Sequence, residues 1–190
     1  MNFPILPSCL VVFLGLASLC QAQAIRAPLS PAQRVAALID TAKLITLAER
    51  GANPRVQKYV AQLEEARLSG WDPAQVAAEA VQRVGMTGEA AVITTEAMLR
   101  NLTIATRLGC LTPAGLHDMR RGQSPTITIG PYQGDQLSVD HIIPFSVAPQ
   151  LDKIIANLEL MPLKMNLRKK AQMTDRQWSL ARRLKRAGLY

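Results

Sequence analysis

The chain has 190 residues, 48% of them hydrophobic, which suffices for one buried core with at most a smaller added module and excludes overall disorder. Aromatic residues make up only 4%, and the many Ala and Leu side chains favour helices, where they lose little rotamer freedom. A formal charge of +8 and a pI near 9.9 point to a polyanionic partner, either nucleic acid or an anionic membrane surface.

The first two dozen residues follow a separate logic. Leu10 to Leu19 (LVVFLGLASL) is an uncharged apolar run of secretory length, and Ala22-Gln23-Ala24 is a small-x-small cleavage signal. Residues 1–24 therefore read as a signal peptide and the protein as exported, periplasmic or secreted, although MNFPILPSC carries no Lys or Arg. The alternative is an uncleaved membrane anchor, for which the run falls short of the ~20 residues that a span needs; after cleavage no membrane partner is expected. Cleavage removes Cys9 and Cys20 and leaves Cys110 in the apolar context LGCLT, where it reads as a buried core thiol. One Cys excludes an internal disulfide and a Cys-based zinc site, so packing alone must stabilise the mature chain.

Four capping residues precede proline: Ser30-Pro31, Asn53-Pro54, Asp72-Pro73 and Thr112-Pro113. Each reads as an N-cap followed by the first helical residue, because the cap oxygen accepts an orphan N–H and Pro has none to lose. Behind them run helical stripes: Val35, Leu38, Ile39, Ala42 and Ile45; then Val56, Val60 and Leu63; then Val76, Ala77, Ala80, Val81 and Val84. A fourth helix from about Thr87 carries Val92, Met98, Leu99, Leu102 and Ala105. Residues 25–121 thus form a helical region whose role the sequence leaves open.

After Gly122 the pattern becomes extended. Thr126 to Gly130 (TITIG) alternates, Gly130-Pro131 and Gly134-Asp135 mark turns, and Leu137-Ser138-Val139 resumes, which predicts a β-hairpin. Leu158 to Met161 is a second short strand that Pro162 ends, a helix runs from Leu163 to about Gln172, and Thr174 to Gln177 (TDRQ) is a capping box opening a last helix. That helix is expected to turn Trp178, Ala181 and Leu184 inward and Arg182, Arg183, Lys185 and Arg186 outward. The fold class is α+β, with residues 122–190 as a C-terminal ββα module closed by a basic helix.

Asp140-His141 followed by Ile-Ile-Pro, then Asn157-Leu158, then Asn166 and Lys169, resembles the HNH endonucleases, the ββα-metal nuclease family. The resemblance covers about 35 residues and leaves out the N-terminal helices. It implies His141 as general base, Asp140 and Asn166 as metal ligands, and Asn157 as the residue that holds His141 in orientation. A His can serve as base near neutral pH, and Asp and Asn oxygens are hard ligands suited to one divalent ion, Mg²⁺ or alternatively Mn²⁺. The chain has Asn at the third motif position, where many members have His, and lacks the paired Cys-x-x-Cys sites of others, so no structural zinc is expected. Strict strand alternation places Asp140 and His141 on opposite faces, so one site can use both only where the strand bends or ends.

From Leu151 to Tyr190 there are ten Lys or Arg against Asp152, Glu159 and Asp175, so the basic surplus flanks the motif. Arg168, Lys169, Lys170, Arg182, Arg183, Lys185 and Arg186 are the candidate phosphate contacts, and DNA, or RNA, is the implied partner. His117, beside Asp118 in GLHDMRRG, has no following Asn pattern and reads as a helix-surface residue. Two other classes fit parts of the sequence: a nucleic-acid-binding module without catalysis, and a basic envelope protein that binds anionic lipid.

Overall fold

A computed structural model describes residues 27–169, 171 and 173–190; the expected signal peptide, Lys170 and Gln172 lie outside the described residues. Six helices come first: α1 (Pro31–Ile39), α2 (Thr41–Leu44), α3 (Asn53–Leu68), α4 (Pro73–Arg83), α5 (Gly88–Arg107) and α6 (Pro113–Arg120). Then follow β1 (Leu137–His141), β2 (Leu158–Pro162), α7 (Leu163–Arg168) and α8 (Asp175–Arg186), an α+β arrangement. None of the described helices is long and apolar enough to cross a membrane.

The caps act as local chemistry requires at three of the four sites. Ser30 accepts from Gln33 N–H, Asp72 from Ala74 N–H and Thr112 from Gly115 N–H. Asn53 differs: Ala52 is already helical in φ and ψ, so α3 starts one residue early and the Asn53 side chain caps nothing. The first stripe is also interrupted. Asp40 leaves the helical region and caps α2 through Ala42 N–H at 3.1 Å, so Leu44 turns inward and Ile45 stays 70% exposed.

β1 and β2 pair antiparallel with Leu137 opposite Pro162 and His141 opposite Leu158. Among the described residues this sheet has two strands, and the expected strand over Thr126 to Gly130 is reduced to a single bridge, Thr126 to Gln136. The reason is competition for donors: Thr128 and Ile129 N–H both go to Leu108 C=O after α5, at 3.1 and 3.3 Å, and the Thr128 hydroxyl donates to Gly109 C=O. Both outer edges of the sheet are covered by helix amides. Gln57 of α3 donates to Leu137 C=O at 3.2 Å, while Asn101 of α5 donates to Leu158 C=O at 3.0 Å and accepts from Leu160 N–H at 2.9 Å. Each buried backbone group left unpaired would cost about 1–3 kcal/mol, so these amides replace the missing third strand on either side.

One apolar cluster joins the two halves of the chain. Val56, Tyr59, Val60 and Leu63 of α3, Val76 and Val81 of α4, and Met98 of α5 pack with Leu137, Leu158 and Leu160 of the sheet. A second cluster, with Ile93 and Ala97 of α5, Ile143, Leu151, Ala156, and Ala181 and Leu184 of α8, lies beneath the long connection from β1 to β2. Cys110 is fully buried in the first cluster. On α8 the expected inward Trp178 is instead 51% exposed, and Gln177 takes the buried position. Its amide donates to Ile142 C=O at 2.7 Å and its oxygen accepts from Thr174 N–H at 2.6 Å, two bonds an indole at that place could not both make.

Candidate functional site

The end of β1, the turn after it and the end of α7 line one cleft of about 280 Å³, completed by Arg50 in the segment before α3 and Asn53 at its start. Asp140, His141, Asn166 and Lys169 all face this cleft. Asp140 and His141, neighbours on β1, both line it because it wraps around the end of the strand, where the last in-register bond runs from Ile142 N–H to Asn157 C=O at 2.8 Å.

His141 is 6% exposed. Its Nε2 lies 3.0 Å from Oδ1 of Asp152 and 3.3 Å from the Asp152 carbonyl oxygen, and its ring meets Phe145 at a tilt of 56°. The second oxygen of Asp152 accepts from Arg50 N–H at 2.9 Å. Asn157 is fully buried and touches the connection rather than the imidazole. Its Oδ1 accepts from Ile143 N–H at 2.8 Å and its Nδ2 donates to Ile143 C=O and Leu151 C=O. It is therefore a positioning residue: it pins the segment that follows His141.

Asp140 sits directly across the ladder from Glu159, and two like charges in that relation repel. Separate bases neutralise them. Glu159 pairs with Arg100 at 2.9 Å and with Arg176, while Asp140 pairs with Lys169. Burial pushes the Arg100 guanidinium below its usual range, against the pull of Glu159. The helix expected to run to Gln172 ends at Arg168, and the extended backbone of Lys169 returns its side chain to β1. There Nζ also donates to His141 C=O at 2.5 Å. Asn166 donates to the Ser138 hydroxyl at 3.2 Å, which orients its amide, and Asp135 steadies α7 by accepting from Lys164 N–H at 2.9 Å.

Among the described residues no three His, Cys, Asp or Glu side chains gather as a metal cluster. Any ion here would be held by the Asp140 carboxylate with neutral oxygens such as that of Asn166. The ammonium of Lys169, already enclosed by the Asp140 carboxylate and a backbone carbonyl, marks the place as one that favours a cation. This all-oxygen donor set fits a hard divalent ion such as Mg²⁺ or Mn²⁺.

The bases of the C-terminal helix divide. Arg182, Lys185 and Arg186 are exposed, as is Arg168 on α7. Arg183 instead bonds Glu89 at 2.8 Å and Glu96 at 3.0 Å on α5, and these bonds raise its guanidinium further. His117 is exposed on α6. The residues that sequence reading missed are Arg50, Asn53, Asp152 and Ser138. Asp152 counted only as an acid offsetting the basic tail, and the amide oxygen of Asn53, expected as a cap, is buried without a hydrogen-bond donor in the cleft wall. No known protein family, curated protein or solved structure matches this chain.

Proposed function

We propose that the protein is an exported, metal-dependent endonuclease of HNH type that hydrolyses the phosphodiester bonds of DNA with little sequence preference. The observation that carries this reading is the convergence in one cleft of Asp140 and His141 from the end of a strand with Asn166 and Lys169 from the end of the helix that follows its partner strand. His141 takes a proton from the attacking water. Asp140 and Asn166 hold one divalent ion, Mg²⁺ or Mn²⁺, which would supply charge neutralisation at the scissile phosphate and leaving oxygen. Asn157 keeps the segment after His141 in place, and Lys169 turns to a phosphate oxygen when Asp140 is otherwise engaged. Arg168, Lys170, Arg182, Lys185 and Arg186 contact phosphates without reading bases.

Supercoiled plasmid incubated with the chain beginning at Ile25 and with Mg²⁺, Mn²⁺ or EDTA tests the reading: relaxation and fragmentation with either ion, abolished by EDTA, are expected. The Lys169 to Asp140 ion pair favours one alternative, a DNA-binding module without cleavage. DNA binding with intact plasmid under every ion would establish that alternative.

A further inference from the structure

One of the places where the helical region meets the ββα elements is a buried carboxylate beside His141. Asp152 and His141 are both buried, with side chains 7% and 8% exposed. A buried carboxylate is retained only where donors satisfy it, and Asp152 has one for each oxygen: the His141 ring on Oδ1 and the Arg50 N–H on Oδ2. Arg50 reaches that place through a left-handed backbone, φ 56°, a conformation sparsely populated outside glycine. The turn around it is closed by Gly51 N–H to Ala48 C=O and Asn53 N–H to Arg50 C=O. Next door, Lys153 donates to Ile45 C=O at 3.1 Å, so the segment before α3 and the connection from β1 to β2 are tied twice, by contacts 102 and 108 residues apart in the chain.

The chemistry of these contacts determines the imidazole. Nε2 faces two oxygens of Asp152, the nearer from its carboxylate at 3.0 Å and the farther its carbonyl at 3.3 Å, and both only accept. The nitrogen between them must therefore carry the proton, which leaves the lone pair of the neutral ring on Nδ1. We propose that Asp152 is the positioning residue for His141, fixing it as the Nε2–H tautomer, and that the left-handed turn at Arg50 holds Asp152 in place. On the nuclease reading, on which the kinetic part of this proposal rests, Nδ1 is then the atom that takes the proton of water. The N-terminal helices thereby complete the base. A ββα module cut free of them would keep its ligands and lose the fixed orientation of its imidazole.

Two-bond ¹H–¹⁵N correlation spectra of the full chain at one neutral pH read the tautomer directly, in the wild type and in Asp152→Ala and Asp152→Asn. The wild type is expected to show His141 as Nε2–H, and Asp152→Ala to show averaging between tautomers. On plasmid DNA, kcat of Asp152→Ala should fall at least roughly tenfold with KM little changed, because a ring that has lost both its fixed tautomer and its fixed orientation only rarely presents an Nδ1 lone pair to the water. Asp152→Asn, which keeps an acceptor for Nε2–H, should recover part of both signals. A wild-type Nδ1–H tautomer overturns the proposal without reference to any variant. So does an Asp152→Ala protein that keeps a single Nε2–H form. A chain that cuts no DNA overturns the nuclease reading alone, and the spectra still decide for or against Asp152.

Discussion

The ammonium of Lys169 lies between the carboxylate of Asp140 and the carbonyl oxygen of His141, bonded to both. On the proposed metal site, Lys169 and a divalent ion compete for that carboxylate. Replacing Lys169 by Met should tighten Mn²⁺ or Mg²⁺ binding in the absence of DNA by roughly fivefold, since a partly exposed ion pair is worth up to about 1 kcal/mol and its loss also removes a like charge. Calorimetric titration measures this, and an unchanged or weakened affinity would show that the ion sits elsewhere.

His141→Ala should retain DNA binding, because phosphate contacts supply most of the affinity, and lose roughly 10²–10⁴-fold in cleavage rate, the usual worth of a positioned base. Binding followed by fluorescence anisotropy and cleavage followed on gels separate the two effects. Near wild-type cleavage with binding intact would remove the general-base assignment.

Asn157→Ala should act on stability before it acts on rate. Its side chain makes three hydrogen bonds to the backbone of Ile143 and Leu151 in a fully buried setting, and the Ile143 N–H left behind would cost about 1–3 kcal/mol. A lowered thermal midpoint together with lowered activity is expected. A variant with unchanged stability and a large drop in kcat would point to direct contact with the reacting groups instead.

The C-terminal helix should divide by side chain. Changing Arg182, Lys185 or Arg186 to Gln should each flatten the salt dependence of DNA binding by about one unit of log–log slope. Arg183→Gln should leave that slope alone and reduce stability by no more than about 1 kcal/mol, because Glu89 and Glu96 already hold its guanidinium at the protein surface. A slope that responds to Arg183 and not to its neighbours would reverse the assignment.

Cys110 should be inert to thiol reagents in the folded protein at pH 8 and react once the chain is unfolded. Burial pushes its thiol up to about 11, since the thiolate is the form that suffers in an apolar setting. The sign for stability follows. Above about pH 9 the unfolded thiol ionises while the folded one keeps its proton, so the unfolded state binds fewer protons and stability falls as pH rises. Cys110→Ala should show less of this alkaline loss when the melting of both proteins is followed from pH 8 to 11, and equal losses would assign it to other groups.

Helix starts were legible in the sequence wherever the deciding bond lies within one turn, as at Ser30, Asp72 and Thr112, and the span of β2 was legible to within one residue, Pro162 being its last residue, opposite Leu137, rather than the first beyond it. The succession Asp140, His141, Asn157, Asn166 and Lys169 was likewise visible as spacing. What the sequence could not show are outcomes of competition between distant groups. Thr126 to Gly130 has strand chemistry, yet Leu108 C=O takes the Thr128 and Ile129 donors; Trp178 has the apolar character of a core residue, yet Gln177 satisfies two backbone groups where the helix meets the loop. Arg183 reads as a free base until α5 brings Glu89 and Glu96 beside it. Asp152 and Arg50 lie 102 residues apart and carry no motif between them. Their meeting beside His141 depends on how the helices pack on the sheet, because a hydrogen bond between remote residues is set by tertiary geometry and leaves no periodicity in the chain.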